Sequence, residues 1–340
     1  MRVRLRDFVE TKEGLFFAVN TYYHPEDRVL CFLRYVNLDL VKDENLNLNS
    51  NNIRILNGKK YIKMAETEKA YKFLENYFPE YLFYDEVNDV LMHSVPNERI
   101  KRILRPNERL KELLNLDNPN ELEEKCIKLA DILHDYGIPY KHMGISGSMV
   151  LKLSNSNSDI DFVIYGMENH KNAREALKNA FEDKKLSPLS NEFWKKAYEK
   201  RIKDNTLTFE EFVWHEKRKF NRGVIDGVMF DLLATREWDE ITEKYGEKRY
   251  RSLGFVEVEG VVVDATYAFD NPAVYRIECD DDEIKEVVSF THTYAGQCFE
   301  EEVVVVRGKL EEVIYNGESY KRVVVGTSRE AFNEYIKLKK

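Results

Sequence analysis

Gly144-Ile-Ser-Gly-Ser148, followed by Ser158-Asp159-Ile160-Asp161-Phe162-Val163-Ile164, sets a glycine-serine turn ahead of two carboxylates in an apolar run. In a strand, alternate side chains share a face, so Asp159 and Asp161 point the same way while Ile160 points into the core. Two like charges held close on such a strand are costly unless a cation neutralises them. Hard oxygen ligands so placed suit Mg²⁺ carrying a phosphate substrate. The expectation is a two-metal phosphoryl-transfer site. Gly144 and Gly147 permit close backbone approach and positive φ, and Ser148 is placed to cap a short helix over residues 149–153, turning backbone N–H groups toward a phosphate.

The combination of Gly147-Ser148, a polar spacer and Asp159-Ile160-Asp161-Phe162 resembles the DNA polymerase β-like nucleotidyltransferase superfamily, whose core runs strand, Gly-Ser helix, Asp-x-Asp strand. The resemblance spans residues 121–240, and the arrangement of the whole chain looks like that of archaeal predicted nucleotidyltransferases. It implies a nucleoside triphosphate substrate, with ATP the first choice. It also implies two Mg²⁺ ions, or Mn²⁺ in their place, on Asp159 and Asp161, and a third carboxylate on a later strand. Gly144, Gly147, Ser148 and Ser158 are then the nucleotide contacts nearest the turn.

The third carboxylate has a candidate in Gly223-Val-Ile-Asp-Gly-Val-Met-Phe-Asp-Leu-Leu233, which reads as two short strands around an Asp226-Gly227 hairpin turn. Asp226 is a turn former. Asp231, between Phe230 and Leu232, has the same placement problem as the first pair, and the resemblance makes it the metal-binding, base-like carboxylate beside the attacking hydroxyl. Plainer readings stand beside these: Asp159 as a turn residue after the polar run 154–158, Asp231 as an edge-strand carboxylate facing solvent, and Ser148 as a helix cap only.

A chain of 340 residues, 43% hydrophobic, predicts two or three compact units at about 150 residues each. No apolar run approaches the ~20 residues that span a bilayer, and Met1-Arg-Val-Arg-Leu-Arg6 leads straight into a strand-like pattern, so a soluble, cytoplasmic protein is expected. Cys31, Cys126, Cys279 and Cys298 lack zinc-ligand spacing and read as buried thiols. One glutamine in a chain that is 33% charged hints at a thermophilic source. The net charge of −9 argues against broad nucleic-acid binding but not against a local basic groove, because a bound cation lets an acidic site accept a polyanion.

The predicted fold is α+β and multidomain. Residues 1–65 read as a β-rich module, with strands at 3–5, 14–20, 28–36 and 60–63 and a polar loop at 45–52. Residues 66–120 read as a helical connector, with Ile100, Ile103 and Leu104 on one stripe. Residues 121–248 form the nucleotidyltransferase domain, a mixed sheet with flanking helices, opening on an amphipathic helix over 121–136 that Gly137 stops. Residues 249–340 hold five strands, at 255–263, 273–277, 286–290, 302–310 and 320–325, and suggest a small OB-like β-barrel closed by a helix over 330–338.

Between the acidic strand and the Asp231 hairpin lies a long basic insertion, Lys195 to Arg222, interleaved with Trp194, Tyr198, Trp214 and Phe220. Basic residues among aromatics suit a polyanion or a stacked base, and Arg218 and Arg222 are the candidates for triphosphate contacts; a solvated helix face with its aromatics in the core is the alternative. Tyr267, Phe269, Tyr275 and Tyr294 are candidate stacking platforms on the barrel, or else its core. The expected activity is transfer of a nucleoside monophosphate to a hydroxyl of RNA or tRNA, releasing pyrophosphate. The alternatives are the same chemistry on a protein or small molecule, or a nucleic-acid-binding protein that keeps the scaffold without catalysis.

Overall fold

The computed structural model describes residues 2–41, 52–328 and 331–339. The chain divides into two compact units, Met1–Asp85 with Val90–Val163, and Glu86–Asp89 with Ile164–Lys340.

The first unit begins with β1 (Phe8–Thr11), β2 (Phe16–Val19), β3 (Arg28–Asn37), β4 (Ile53–Leu56), β5 (Lys59–Lys63) and α1 (Thr67–Tyr77). It continues through β6 (Leu82–Asp85), β7 (Val90–Pro96), β8 (Ile100–Leu104), α2 (Pro106–Leu113), α3 (Glu121–Asp135), β9 (Met143–Ile145), α4 (Gly147–Val150) and the start of β10 (Ile160–Tyr165). Eight strands form one sheet in the order β4-β5-β3-β2-β1-β8, with β7 on β3 and β6 on β7. Period-2 alternation sorts its side chains, and a register shift where β3 passes Phe16 and Phe17 puts Leu33 and Tyr35 on opposite faces. Val9, Phe17 and Leu33 face α1, where Ala70, Phe73 and Leu74 are buried. Phe8, Phe16, Tyr35 and Tyr61 face Val150, Leu151 and Leu153, so the segment that carries the Gly-Ser turn is seated on the sheet's second face.

Helix α3 forms as expected: Asn120 and Glu123 make a reciprocal capping box, and Cys126, Leu129, Ala130 and Leu133 are its buried stripe. The expected helical connector is helical only at its ends. Its middle is β6, β7 and β8, all in the eight-stranded sheet. Ile100, Ile103 and Leu104 do have helical spacing, but β8 pairs β1 and sends Lys101 and Arg102 to Glu10 on that neighbour, a pairing that local periodicity cannot reveal. Residues 3–5 are buried without strand structure, and the first strand starts at Phe8. The loop expected at 45–52 lies outside the described residues apart from Asn52.

The second unit takes β10 onward through α5 (Met167–Glu182), α6 (Asn191–Arg201), α7 (Phe209–Lys217), β11 (Arg222–Ile225) and β12 (Val228–Thr235). Strands β11 and β12 pair antiparallel as a hairpin. Then come β13 (Lys248–Asp264), β14 (Ala273–Cys279), β15 (Ile284–Ser289), β16 (Val303–Tyr315), β17 (Glu318–Val325) and β18 (Tyr335–Leu338). All five strands expected after residue 249 are present. Their order is β13-β14-β15-β17-β16-β18, β13 also pairs β16, and β15 lies parallel to β17, so the pairings close into a ring of five.

The insertion helices share a core with these strands. Trp194, Ile202, Leu207 and Phe212 cluster with Tyr275, Tyr294, Val304 and Val323. Tyr275 and Tyr294 are therefore core residues rather than stacking platforms. Among the described residues 331–338 the expected final helix is not formed. In its place Tyr335-Ile-Lys-Leu338 adds to β16 as β18. A segment this short is marginal as a helix by its own propensity, whereas pairing with β16 supplies ladder bonds at once.

Candidate active site

Ile160 and Phe162 are fully buried while Asp159, just before β10, and Asp161, within it, stay half-buried, so neither carboxylate enters the core. Ser158 sets their approach: its Oγ accepts from Asn155 N at 3.0 Å and lies 3.2 Å from Asn155 Oδ1, closing the turn that precedes Asp159. Ser146 N donates to Asp161 O at 2.9 Å, which ties the Gly-Ser turn to the acidic strand.

Gly147 has φ +62, and a Cβ there would sit 1.9 Å from Asp161 Oδ2. The Asp161 carboxylate thus lies directly over the start of α4, in space that only glycine leaves open. Gly144 lacks room for a different reason. A Cβ on it would come within 2.7 Å of Pro106, so its bare backbone lets β9 pack under α2. Helix α4 starts two residues earlier than expected: its N-cap is Ser146, not Ser148. Ser146 is the residue that sequence reading passed over. Its Oγ donates to Arg6 O at 2.9 Å, anchoring the turn to the N-terminal segment, and its place between Gly144 and Gly147 was the available signal. Opposite the carboxylates, burial raises the pKa of the Tyr35 phenol and the Asp161 charge adds to that, against Arg34 and Arg54.

In the second unit the hairpin forms at Asp226 and Gly227, both with positive φ, as a primed two-residue turn requires. That turn pairs Arg222 with Asp231 across the strands. Asp231 Oδ1 lies 2.9 Å from Arg222 Nε and its Oδ2 lies 3.7 Å from an Arg201 guanidinium nitrogen. Behind them sits Glu216, with 1% of its side chain exposed, 3.0 Å from Arg222 Nη1 and 2.5 Å from Lys219 Nζ. Lys219 also donates to Thr293 O at 2.7 Å. Burial alone would push Glu216 up, but Arg222, Lys219 and Arg201 outweigh it and hold the carboxyl at about 2. Burial lowers Lys219 to about 8, with Glu216 opposing.

Arg222, at 4% side-chain exposure, is thus placed on two carboxylates. Arg218 is held apart from it, ion-paired with Glu302 and stacked 4.7 Å from Trp214 and 4.8 Å from Phe299. Trp194 is core, and only Trp214 among the insertion's tryptophans is well exposed.

Among the described residues, no group of three or more His, Cys, Asp or Glu side chains is close enough to hold a metal by itself. Asp159 and Asp161 offer two hard carboxylates with Asp161 turned to the glycine turn. This suits Mg²⁺, which is usually held by one or two carboxylates together with substrate phosphates and water. Among the described residues no helix is long and apolar enough to cross a membrane.

A family model described as "Nucleotidyltransferase domain" matches residues 126–221, a span that holds the Gly-Ser turn, Asp159, Asp161 and Arg218 and stops short of Arg222 and Asp231. An uncharacterized protein of Methanocaldococcus jannaschii is 67% identical over 343 residues, covering 100% of this chain and 100% of that protein. No solved structure matches the chain.

Proposed function

The chain belongs to the DNA polymerase β-like nucleotidyltransferase superfamily, and from that premise we propose that it transfers a nucleoside monophosphate from a triphosphate to a hydroxyl acceptor, releasing pyrophosphate. ATP is the proposed donor and RNA the proposed acceptor. The observation that carries this reading is the Asp161 carboxylate lying over Gly147, with the half-buried Asp159 two residues before it. A strand that spends two carboxylates beside a bare glycine turn gains nothing in stability from them.

Mg²⁺, when bound by Asp159 and Asp161, would supply charge neutralisation at the triphosphate and at the attacking and leaving oxygens. The chain's own residues do the rest. The Gly147-Ser148 backbone cradles phosphate, the Ser146 anchor keeps that turn in register with Asp161, and Asp231 accepts the proton of the acceptor hydroxyl. Arg218, with its flat face on Trp214 and Phe299, is the arginine proposed to reach a polyanion. The closed ring of pairings β13-β14-β15-β17-β16, with β15 parallel to β17, supports reading the last domain as the OB-like barrel expected from its sequence. We assign to it the acceptor's single-stranded end.

The test is transfer from each α-labelled triphosphate with Mg²⁺ or Mn²⁺ and with total RNA or cell protein as acceptor, beside Asp159→Ala/Asp161→Ala. Label entering RNA with the wild type alone supports the reading. Label on protein moves the acceptor to a protein hydroxyl, and no label in any arm removes the catalytic assignment.

A further inference from the structure

The buried cluster around Glu216 contains three cations, Arg201, Lys219 and Arg222, against two carboxylates, Glu216 and Asp231. It therefore holds one positive charge in excess in a place where charge is poorly solvated. The Lys219–Glu216 contact is angled as a hydrogen bond. Glu216 Oε2, Arg222 Nε and Nη1, and Asp231 Oδ1 meet at ion-pair distance without hydrogen-bond geometry. Such a cluster is held by charge rather than locked in shape, so a carboxylate can change partners without breaking a well-formed bond.

Asp231 has a reason to change partners that Glu216 lacks. At 16% side-chain exposure Asp231 is the accessible acid, while Glu216, at 1%, is sealed behind Arg222. If Asp231 turns away from Arg222, the guanidinium keeps a counter-charge only because Glu216 remains on Nη1. Without Glu216, releasing Asp231 would leave Arg201, Lys219 and Arg222 with no anion, the last two of them buried, and uncompensated buried charge is strongly unfavourable, so Asp231 would stay bound.

We propose that Glu216 is a positioning residue for Asp231: it holds Arg222 in place whether or not Asp231 is on it, and so leaves Asp231 available to the acceptor hydroxyl and its cation. This rests on the reading of Asp231 as the third carboxylate. It adds to that reading a residue outside the acidic motifs, on the last turn of α7, with no contact to substrate.

The full chain is assayed with α-labelled ATP, Mg²⁺ and total RNA, and titrated separately with Mn²⁺ alone by its free electron-spin signal. Glu216→Gln leaves surplus buried cations and is expected to melt lower. The deciding variant is therefore Glu216→Gln/Lys219→Met, which removes one charge of each sign and keeps the cluster's net charge. For that variant, folded as the wild type, kcat is expected to fall about tenfold or more with KM for ATP within about twofold, the pattern of a lost transition-state role. Its Mn²⁺ affinity is expected to fall toward that of Asp231→Asn. Adding Arg201→Gln removes one of the cations that hold Asp231 and is expected to restore part of kcat. An unchanged kcat or an unchanged Mn²⁺ affinity in the folded paired variant overturns the proposal. Wild-type transfer by Asp231→Asn would instead sink the third-carboxylate reading itself, and the proposal with it.

Discussion

Gly147 and Asp161 occupy one another's space, which makes the site sensitive to a single methyl group. Gly147→Ala would force a left-handed backbone onto alanine and push the Asp161 carboxylate aside, because the new Cβ would lie 1.9 Å from Oδ2. The expected cost to folding is about 1–2 kcal/mol, while transfer should drop by about a hundredfold, the usual effect of moving a reacting group by an ångström. Melting and turnover measured on the same preparation separate the two effects. Asp7 shows a different residue-scale constraint. It is 1% exposed, accepts from Arg4 N at 3.1 Å, and burial raises its carboxyl to about 7. The unfolded carboxyl ionises near 3.8, so the folded state binds more protons between 3.8 and about 7, and stability falls as pH rises across that window. The effect is on the order of 4 kcal/mol. Asp7→Asn should therefore remove much of the difference in urea midpoint between pH 4 and pH 7.5 that the wild type shows; an unaltered difference would mean that Asp7 ionises normally.

At the scale of elements, the β11–β12 hairpin was legible and its consequence was not. Asp226-Gly227 fixes a two-residue turn, and counting back from it sets Arg222 opposite Asp231, so the partner of the third acid was available from the sequence. Glu216 was not: it lies on a helix, and only the packing of α7 behind the hairpin brings it to Arg222. The insertion's aromatics divide on the same ground. Trp194 has 4% exposure in the core shared with β14, β16 and β17, and Trp194→Ala should cost about 3–5 kcal/mol while leaving any surface contact intact. The glycine in β16 makes a comparable demand. A Cβ on Gly308 would fall 2.2 Å from Val324 O, so Gly308→Ala must part β16 from β17 and should lower the melting midpoint by several degrees, as a loss of a few kcal/mol does in a large domain. A wild-type midpoint would show that the two strands are not held that closely in solution.

For the whole molecule, the net charge of −9 limits how any RNA acceptor can bind. Contacts confined to a local patch predict a shallow salt dependence, about tenfold in affinity between 50 and 200 mM salt, as for two or three phosphates; a loss of a thousandfold would instead point to a broad basic surface. The sequence by itself determined the acidic strand, the glycine turn, helix α3, the Asp226-Gly227 hairpin and the five strands after residue 249. Each of these is written in local chemistry: period-2 or 3.6 patterning, a capping box, a turn that demands positive φ. Only the tertiary structure decided that Leu82–Asp85, Val90–Pro96 and Ile100–Leu104 are strands, that Tyr335–Leu338 extends a sheet, that Ser146 anchors the turn, and that Glu216 stands behind Arg222. Those four depend on partners far away in the chain. Short segments with ambiguous periodicity take the conformation their neighbours complete, and a buried charge goes where an opposite charge from another element can meet it.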